Sequence, residues 1–188
     1  MIKITILSIL ATVSFVVTAL LTAFADEKGG LTSTLLASCV LPETAQKISV
    51  IQTQGIVQIL VLSGSKKNIQ QNHSFIEAKD ARSDICPSEG FESLSCVDNT
   101  FMIRQQICSR QAFIQEILTF HADDTDIFYL TSYRREKTNR VSDAKEPVIK
   151  TYTKQQIGKI KFQNISRDYL TDLINRPYKT PQTSKNQQ

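Results

Sequence analysis

Four cysteines, two histidines, a knot of aspartates and a basic C-terminal third carry most of the chemistry open to this chain. A cysteine hydrolase needs a thiolate within reach of a histidine. Only His73 and His121 exist, and no cysteine sits in a nucleophile's local sequence. Zinc needs three or four nitrogen, sulfur or oxygen ligands at close spacing. Neither Cys-x-x-Cys nor His-x-x-x-His occurs, so no metal site is expected. His121-Ala122-Asp123-Asp124-Thr125-Asp126 gathers oxygens but lacks the glycine and the distal glutamate of an EF-hand loop. It reads as a solvated hairpin turn. The six glycines form no phosphate cradle and no nucleophile elbow, and no cofactor is implied. Paired carboxylates of the glycosidase kind meet in space rather than in sequence. An exported hydrolase with a carboxylate or His/Asp site assembled by the fold is therefore the alternative function.

The cysteines take their meaning from the first 25 residues. Lys3 and the amino terminus are followed by an apolar run from Ile4 to Leu21, then Ala23-Phe24-Ala25, then charged Asp26-Glu27-Lys28. This is the layout of a secretory signal cleaved after Ala25. The alternative is a retained anchor over residues 4–21, since the run approaches bilayer-spanning length. Either way the rest of the chain is expected to be exported, periplasmic or secreted. Cys39, Cys86, Cys96 and Cys108 all follow the signal, and an even count in an oxidising compartment argues for two disulfides. Three connectivities are open. Clipping a loop favours Cys86–Cys96, which leaves Cys39–Cys108. Leu36-Ala37-Ser38-Cys39 resembles a bacterial lipobox locally, but charged residues separate it from the apolar run. A structural cysteine is the better reading. Leu41-Pro42-Glu43-Thr44-Ala45 resembles a sortase signal in a place where none operates.

Charge is distributed unevenly. Residues 26–132 carry 8 basic and 13 acidic side chains, and residues 133–188 carry 13 basic and 5 acidic. An acidic body with a basic final third points to an anionic partner, a protein or a charged surface. Nucleic acid is not expected in an exported compartment, and a membrane enters only through the signal or anchor segment. Abundant isoleucine, lysine and asparagine suit a bacterial, AT-rich genome. The composition leaves the oligomeric state open.

These residues must be positioned by short, β-branched elements. Thr32–Leu41 suits a strand or a two-turn helix, stopped by Pro42. Lys47–Thr53 and Ile56–Ser63 predict a hairpin around Gln54-Gly55, and Ile69–Ala78 a third strand. Residues 79–100, with Pro87 and Gly90, read as a loop. Residues 101–120 fit either an amphipathic helix or strands 101–108 and 113–121. Asp126–Arg135 predicts a strand, entered through a hairpin loop at 122–125, and residues 141–147 a loop.

Val148–Thr153 and Ile157–Gln163 predict a last hairpin, with a capping box at Thr153-Lys154-Gln155-Gln156 as the rival. Ser166 predicts the N-cap of a helix over Arg167–Asn175, ended by Pro177. The expected fold is thus α+β: one β-rich domain of antiparallel hairpins with a short C-terminal helix over residues 26–178, disulfide-braced, then a disordered polar tail over 179–188. In the predicted last hairpin Lys150, Tyr152, Lys154, Lys159 and Lys161 share the solvent face, with Ile149, Thr151, Ile160 and Phe162 inward. Arg134 and Arg135 extend that patch, as do Lys137 and Arg140. The patch is the expected binding surface of a non-catalytic interaction protein.

Overall fold

Alternation of apolar and polar residues organises nearly everything between the two ends of the chain. A computed structural model describes residues 32–62, 69–77, 89–109, 111–140 and 146–177. The signal segment 1–25, the tail 179–188, Cys86 and residues 141–145 lie outside the described residues. The fold is two antiparallel sheets with a short C-terminal helix. Strands β1 (Ser33–Val40), β2 (Lys47–Thr53), β3 (Ile56–Leu62) and β4 (Ile69–Asn72) make the first sheet in sequence order. Strands β5 (Gly90–Val97), β6 (Thr100–Cys108), β7 (Ala112–Ala122), β8 (Phe128–Asn139) and β9 (Val148–Thr153) make the second, again in order.

The β2–β3 turn forms at Gln54-Gly55, where both residues have positive φ (50° and 82°). That is the type I′ geometry whose twist matches flanking strands. Residues 101–120 resolve as two strands because their side chains alternate with period two. Along β7, Ala112, Ile114, Glu116, Leu118, Phe120 and Ala122 all face inward. The segment 79–100 is corrected in part: its end, Gly90–Val97, is strand β5 rather than loop. Phe91, Leu94 and Cys96 pack against the core there, offset by a bulge between Phe91 and Ser93. The predicted third strand of the first sheet ends early, at Asn72.

The inward face of the second sheet is built in rows set by strand register. One row runs Cys96, Phe101, Phe120, Leu130, and the next Leu94, Ile103, Leu118, Tyr133, Tyr152. Phe101 and Phe120 stack at 4.7 Å, and Phe162 meets both edge-on. Buried apolar residues of β2, β3, β6 and β8, with Leu118, Phe120 and Ala122 of β7, belong to one core. Burying each such side chain contributes about 1.5–3 kcal/mol.

The disulfide joins Cys39 of β1 to Cys96 of β5, with Cα atoms 6.0 Å apart. Both predicted pairings, Cys86–Cys96 and Cys39–Cys108, are thereby corrected. Cys96 stands on an edge strand beside Cys39, not inside a loop. Cys108 is also disulfide-bonded. The sulfur of Cys39 is engaged by Cys96, so the lipobox reading falls. The crosslink spans 57 residues of chain. In the chain-entropy view a closure of that length stabilises by about 4 kcal/mol.

After β9 the predicted hairpin does not form. Strand β9 pairs with β8, Tyr152 lying opposite Tyr133, and the chain turns into helix α1 (Lys154–Ile157) and a 3-10 turn, Phe162–Asn164. The capping box wins: the Thr153 N–H donates to the Gln156 side chain at 2.9 Å. Because β8 sets the facing of β9, the predicted faces are inverted. Tyr152 is 2% exposed and Ile149 48%. Helix α2 (Arg167–Asn175) forms as expected, with the Ser166 hydroxyl accepting the Tyr169 N–H at 3.1 Å.

Candidate functional site

Two polar centres stand out among the described residues, one largely closed and one an open cleft. The closed one begins with an acid in an apolar row. Glu116 faces inward between Ile114 and Leu118 and is 1% exposed. Register places Gln105 on one side of it and Arg135 on the other, with Lys150 beyond, so a polar row crosses four strands.

The Glu116 carboxylate accepts from Gln105 Nε2 at 3.0 Å, from Arg167 Nη1 at 2.8 Å and from the Tyr133 hydroxyl. Arg135 Nε lies 3.7 Å from it. Arg167 also reaches Glu77 at 3.1 Å and donates to the Phe75 carbonyl. Gln105 closes the ring, accepting from the Glu77 N–H at 3.1 Å and donating to the Phe75 carbonyl at 3.2 Å. Burial, and after it the Glu116 charge, pushes the Tyr133 phenol well above its ordinary range. Two carboxylates face two guanidiniums here, and Glu116 accepts three hydrogen bonds, with the Arg135 guanidinium paired to it at longer range. A buried charge tolerates its surroundings only when paired and hydrogen-bonded in this way. The centre ties β6, β7, β8, residues 75–77 and α2 together.

The open centre is a cleft of about 520 Å³ between the β7–β8 turn and the residues after β9. Its first wall is fixed by Asp123, whose Oδ1 accepts the N–H groups of Thr125 and Ile127 at 2.9 and 3.1 Å. The Thr125 hydroxyl adds a bond at 2.6 Å. These bonds, the Thr125 hydroxyl foremost, hold the Asp123 carboxyl below its usual range, so it stays ionised. Gln70 of β4 steadies the same turn, donating to the Asp126 carbonyl at 2.6 Å and accepting the Phe128 N–H at 3.2 Å.

The second wall is α1 together with residues 158–161. Gly158 ends α1 at φ 80°, its N–H donating to the Lys154 carbonyl at 2.9 Å. Positive φ is easily adopted only without a Cβ. The turn at Gly158 brings Lys159 Nζ over the Tyr129 ring at 5.0 Å. A bridge between Tyr129 and Lys161 and the Leu130 N–H to Ile160 carbonyl bond (3.2 Å) hold this wall to β8.

The structure divides the predicted basic surface. Lys154 and Lys159 line the cleft and Lys161 adjoins it, all exposed. Lys150 stands in the buried polar row opposite Arg135, not opposite Lys161 as the hairpin register would place it. Tyr152 leaves the surface, stacking on Tyr133 at 5.7 Å with its hydroxyl donating to the Ile174 carbonyl at 3.4 Å. Arg134 pairs with Glu136 at 3.2 Å, Arg135 with Glu116, and Arg140 lies over the Phe113 ring at 4.4 Å.

His121 and Asp124, named in the sequence only as parts of a turn, line the cleft with the lysines. The Nδ1 atom of His121 meets the Thr100 hydroxyl, rather than a carboxylate, at 3.1 Å. His73 is exposed and does not line this cleft. No group of three or more His, Cys, Asp or Glu side chains among the described residues is placed to hold a metal. Comparison with protein-family models, with curated proteins and with solved structures returned no match.

Proposed function

We propose that this chain is an exported, disulfide-braced, non-catalytic binding protein whose lysines around α1 engage an anionic partner, a protein or a charged surface. The observation that carries the reading is the state of those lysines. Arg104, Arg134, Arg135 and Arg167 are each in an ion pair, whereas Lys154, Lys159 and Lys161 are in none among the described residues. Cations held at the mouth of a cleft and engaged in no ion pair are ready to accept a carboxylate or other anion from outside. The Cys39–Cys96 disulfide supports an oxidising compartment, in line with the signal-like layout of Met1–Ala25. No helix among the described residues is long and apolar enough to cross a membrane. Amino-terminal sequencing of the exported protein is expected to begin at Asp26; an intact Met1 would restore the anchor.

The test of binding compares wild type with Lys154, Lys159 and Lys161 all changed to Glu, on heparin and on anionic vesicles. Wild type is expected to bind at low salt and to release as salt rises, since charges are screened over about 10 Å at 0.1 M. The variant is expected not to bind. Equal binding by both would remove the lysines from the account.

A hydrolase is the second reading, favoured by the meeting of His121, Asp123 and Asp124 in one cleft. The Asp123 carboxylate is already engaged by its own turn, which leaves Asp124 as the only acid of the pair for chemistry. Hydrolytic activity lost on His121→Ala with the fold intact would establish it.

A further inference from the structure

The cleft contains opposite charges that do not meet. Lys154 and Lys159 line it from the α1 side and Asp124 from the β7–β8 turn, and none of the three makes an ion pair among the described residues. Between them the lining is largely apolar: Ala122, Leu130 and the ring of Tyr129. Lys159 is held in place by that ring. A volume of about 520 Å³ falls in the range of small-molecule sites, which combine apolar walls with a few placed polar groups.

A simple anion entering here meets Asp124 and, behind it, the Asp123 carboxylate already bonded to its own turn, and a simple cation meets two lysines. A molecule carrying both charges on one apolar body satisfies both ends at once. We propose that the cleft binds a small zwitterion, a free amino acid or short apolar peptide, with its carboxylate at Lys154 and Lys159 and its ammonium at Asp124. The inference rests on the reading that these lysines meet an anion, and it adds the ligand's second charge and its size. Charge-assisted hydrogen bonds at both ends give orientation, and the apolar floor accepts the side chain.

The test is calorimetric titration of the purified protein, disulfides intact, with Leu-Leu, its N-acetyl form, its amide, the doubly blocked form and phosphoethanolamine. Leu-Leu is expected to bind, and blocking either end to weaken it about tenfold or more, the effect of losing one charged hydrogen bond. In Lys154→Gln/Lys159→Gln, blocking the carboxylate is expected to cost nothing further. In Asp124→Asn the same holds for blocking the amine. All three side chains are exposed, so folding is not at issue. Equal binding of N-acetyl-Leu-Leu and Leu-Leu would overturn the zwitterion and leave the anion reading standing. Equal binding of the doubly blocked form, no binding into the millimolar range, or binding of phosphoethanolamine alone would overturn it too. Failure of the anion reading shows separately, as absent or salt-insensitive binding to heparin and vesicles by wild type.

Discussion

The Glu116 centre and the lysine cleft use the same kinds of side chain to opposite ends. Both hold carboxylates, cations and a tyrosine. In the first, the buried Glu116 and Tyr133 meet the half-buried Arg135 and Arg167, and Glu77 pairs with Arg167 at the edge. In the second, Lys154, Lys159, Asp124 and Tyr129 share a space, and the lysines and Asp124 stay unpaired among the described residues. Guanidinium groups dominate the closed centre and ammonium groups the open one. A planar fork of donors suits fixed, bidentate pairing, while a hydrated point charge on a flexible stem suits an exchangeable partner. Charges paired with one another hold a structure together, and unpaired ones are available for binding.

Mutations should separate the two regions cleanly. The largest effect is expected from Glu116→Ala, which takes its carboxylate from Arg135, leaves Arg167 with Glu77 and the Phe75 carbonyl, and removes the acceptor of Gln105 and Tyr133. Loss of one partner from a buried ionic group costs about 3–5 kcal/mol, to be read by denaturant unfolding. A cost under about 1 kcal/mol would mean that water reaches the site and the two regions differ less than their burial implies.

Tyr133→Phe comes next, at about 1–3 kcal/mol, since it removes one donor from a buried carboxylate. It also tests the sign of a pH effect. The phenol's folded pKa is raised above its ordinary value near 10, so its contribution is complete below that pH. Stability should then fall as pH climbs past 10, and part of that alkaline loss should vanish in Tyr133→Phe. An unchanged alkaline profile would remove Tyr133 as its source.

Changing both Lys154 and Lys159 to Gln should leave stability within about 0.5 kcal/mol of wild type, as for surface changes generally, while weakening binding to heparin and anionic vesicles. A loss of stability instead would place these lysines with the structural centre. The smallest effect is expected at Asp123. Its folded pKa is depressed, so its stabilisation of the turn is present above the ordinary carboxyl pKa and is lost as pH falls through the folded value. Protection of the Thr125 and Ile127 amides, measured relative to their intrinsic exchange rates at each pH, should fall in acid in wild type. Asp123→Asn keeps an oxygen acceptor without the ionisable group, and its exchange should lose that acid step.

The difference between the two regions also explains which features are legible in the sequence. The β2–β3 hairpin, β8 and α2 are legible because their signals are local: β-branched runs, a two-residue turn at Gln54-Gly55, a serine cap at Ser166. Lys154, Lys159 and Lys161 are legible as basic, but not as a group distinct from Lys150, Arg134 and Arg135. That distinction depends on which strand β9 joins. Pairing with β8 rather than with residues 157–163 sends Tyr152 inward and Ile149 outward. A strand's facing reverses with a one-residue change of register, so its own composition does not set it.

Glu116 leaves one trace in the sequence, an acid at an inward position of an otherwise apolar alternating strand. Its partners leave none. Arg135 arrives through register and Arg167 from 51 residues away. The Cys39–Cys96 bond is the same kind of case, since spacing along the chain gives no reason to prefer it over Cys39–Cys108.

The sequence by itself determined the β2–β3 hairpin with its turn at Gln54-Gly55, strand β8, the C-terminal helix and its cap, and the excess of basic charge in the last third. Each depends on interactions within a few residues, or on composition alone. Only the tertiary structure decided which cysteines meet, which face of β9 is buried, which cations are neutralised, and that His121, Asp124, Tyr129, Lys154 and Lys159 border one cleft. Those outcomes depend on contacts between distant segments, whose geometry is set by the common core and strand register rather than by any local preference.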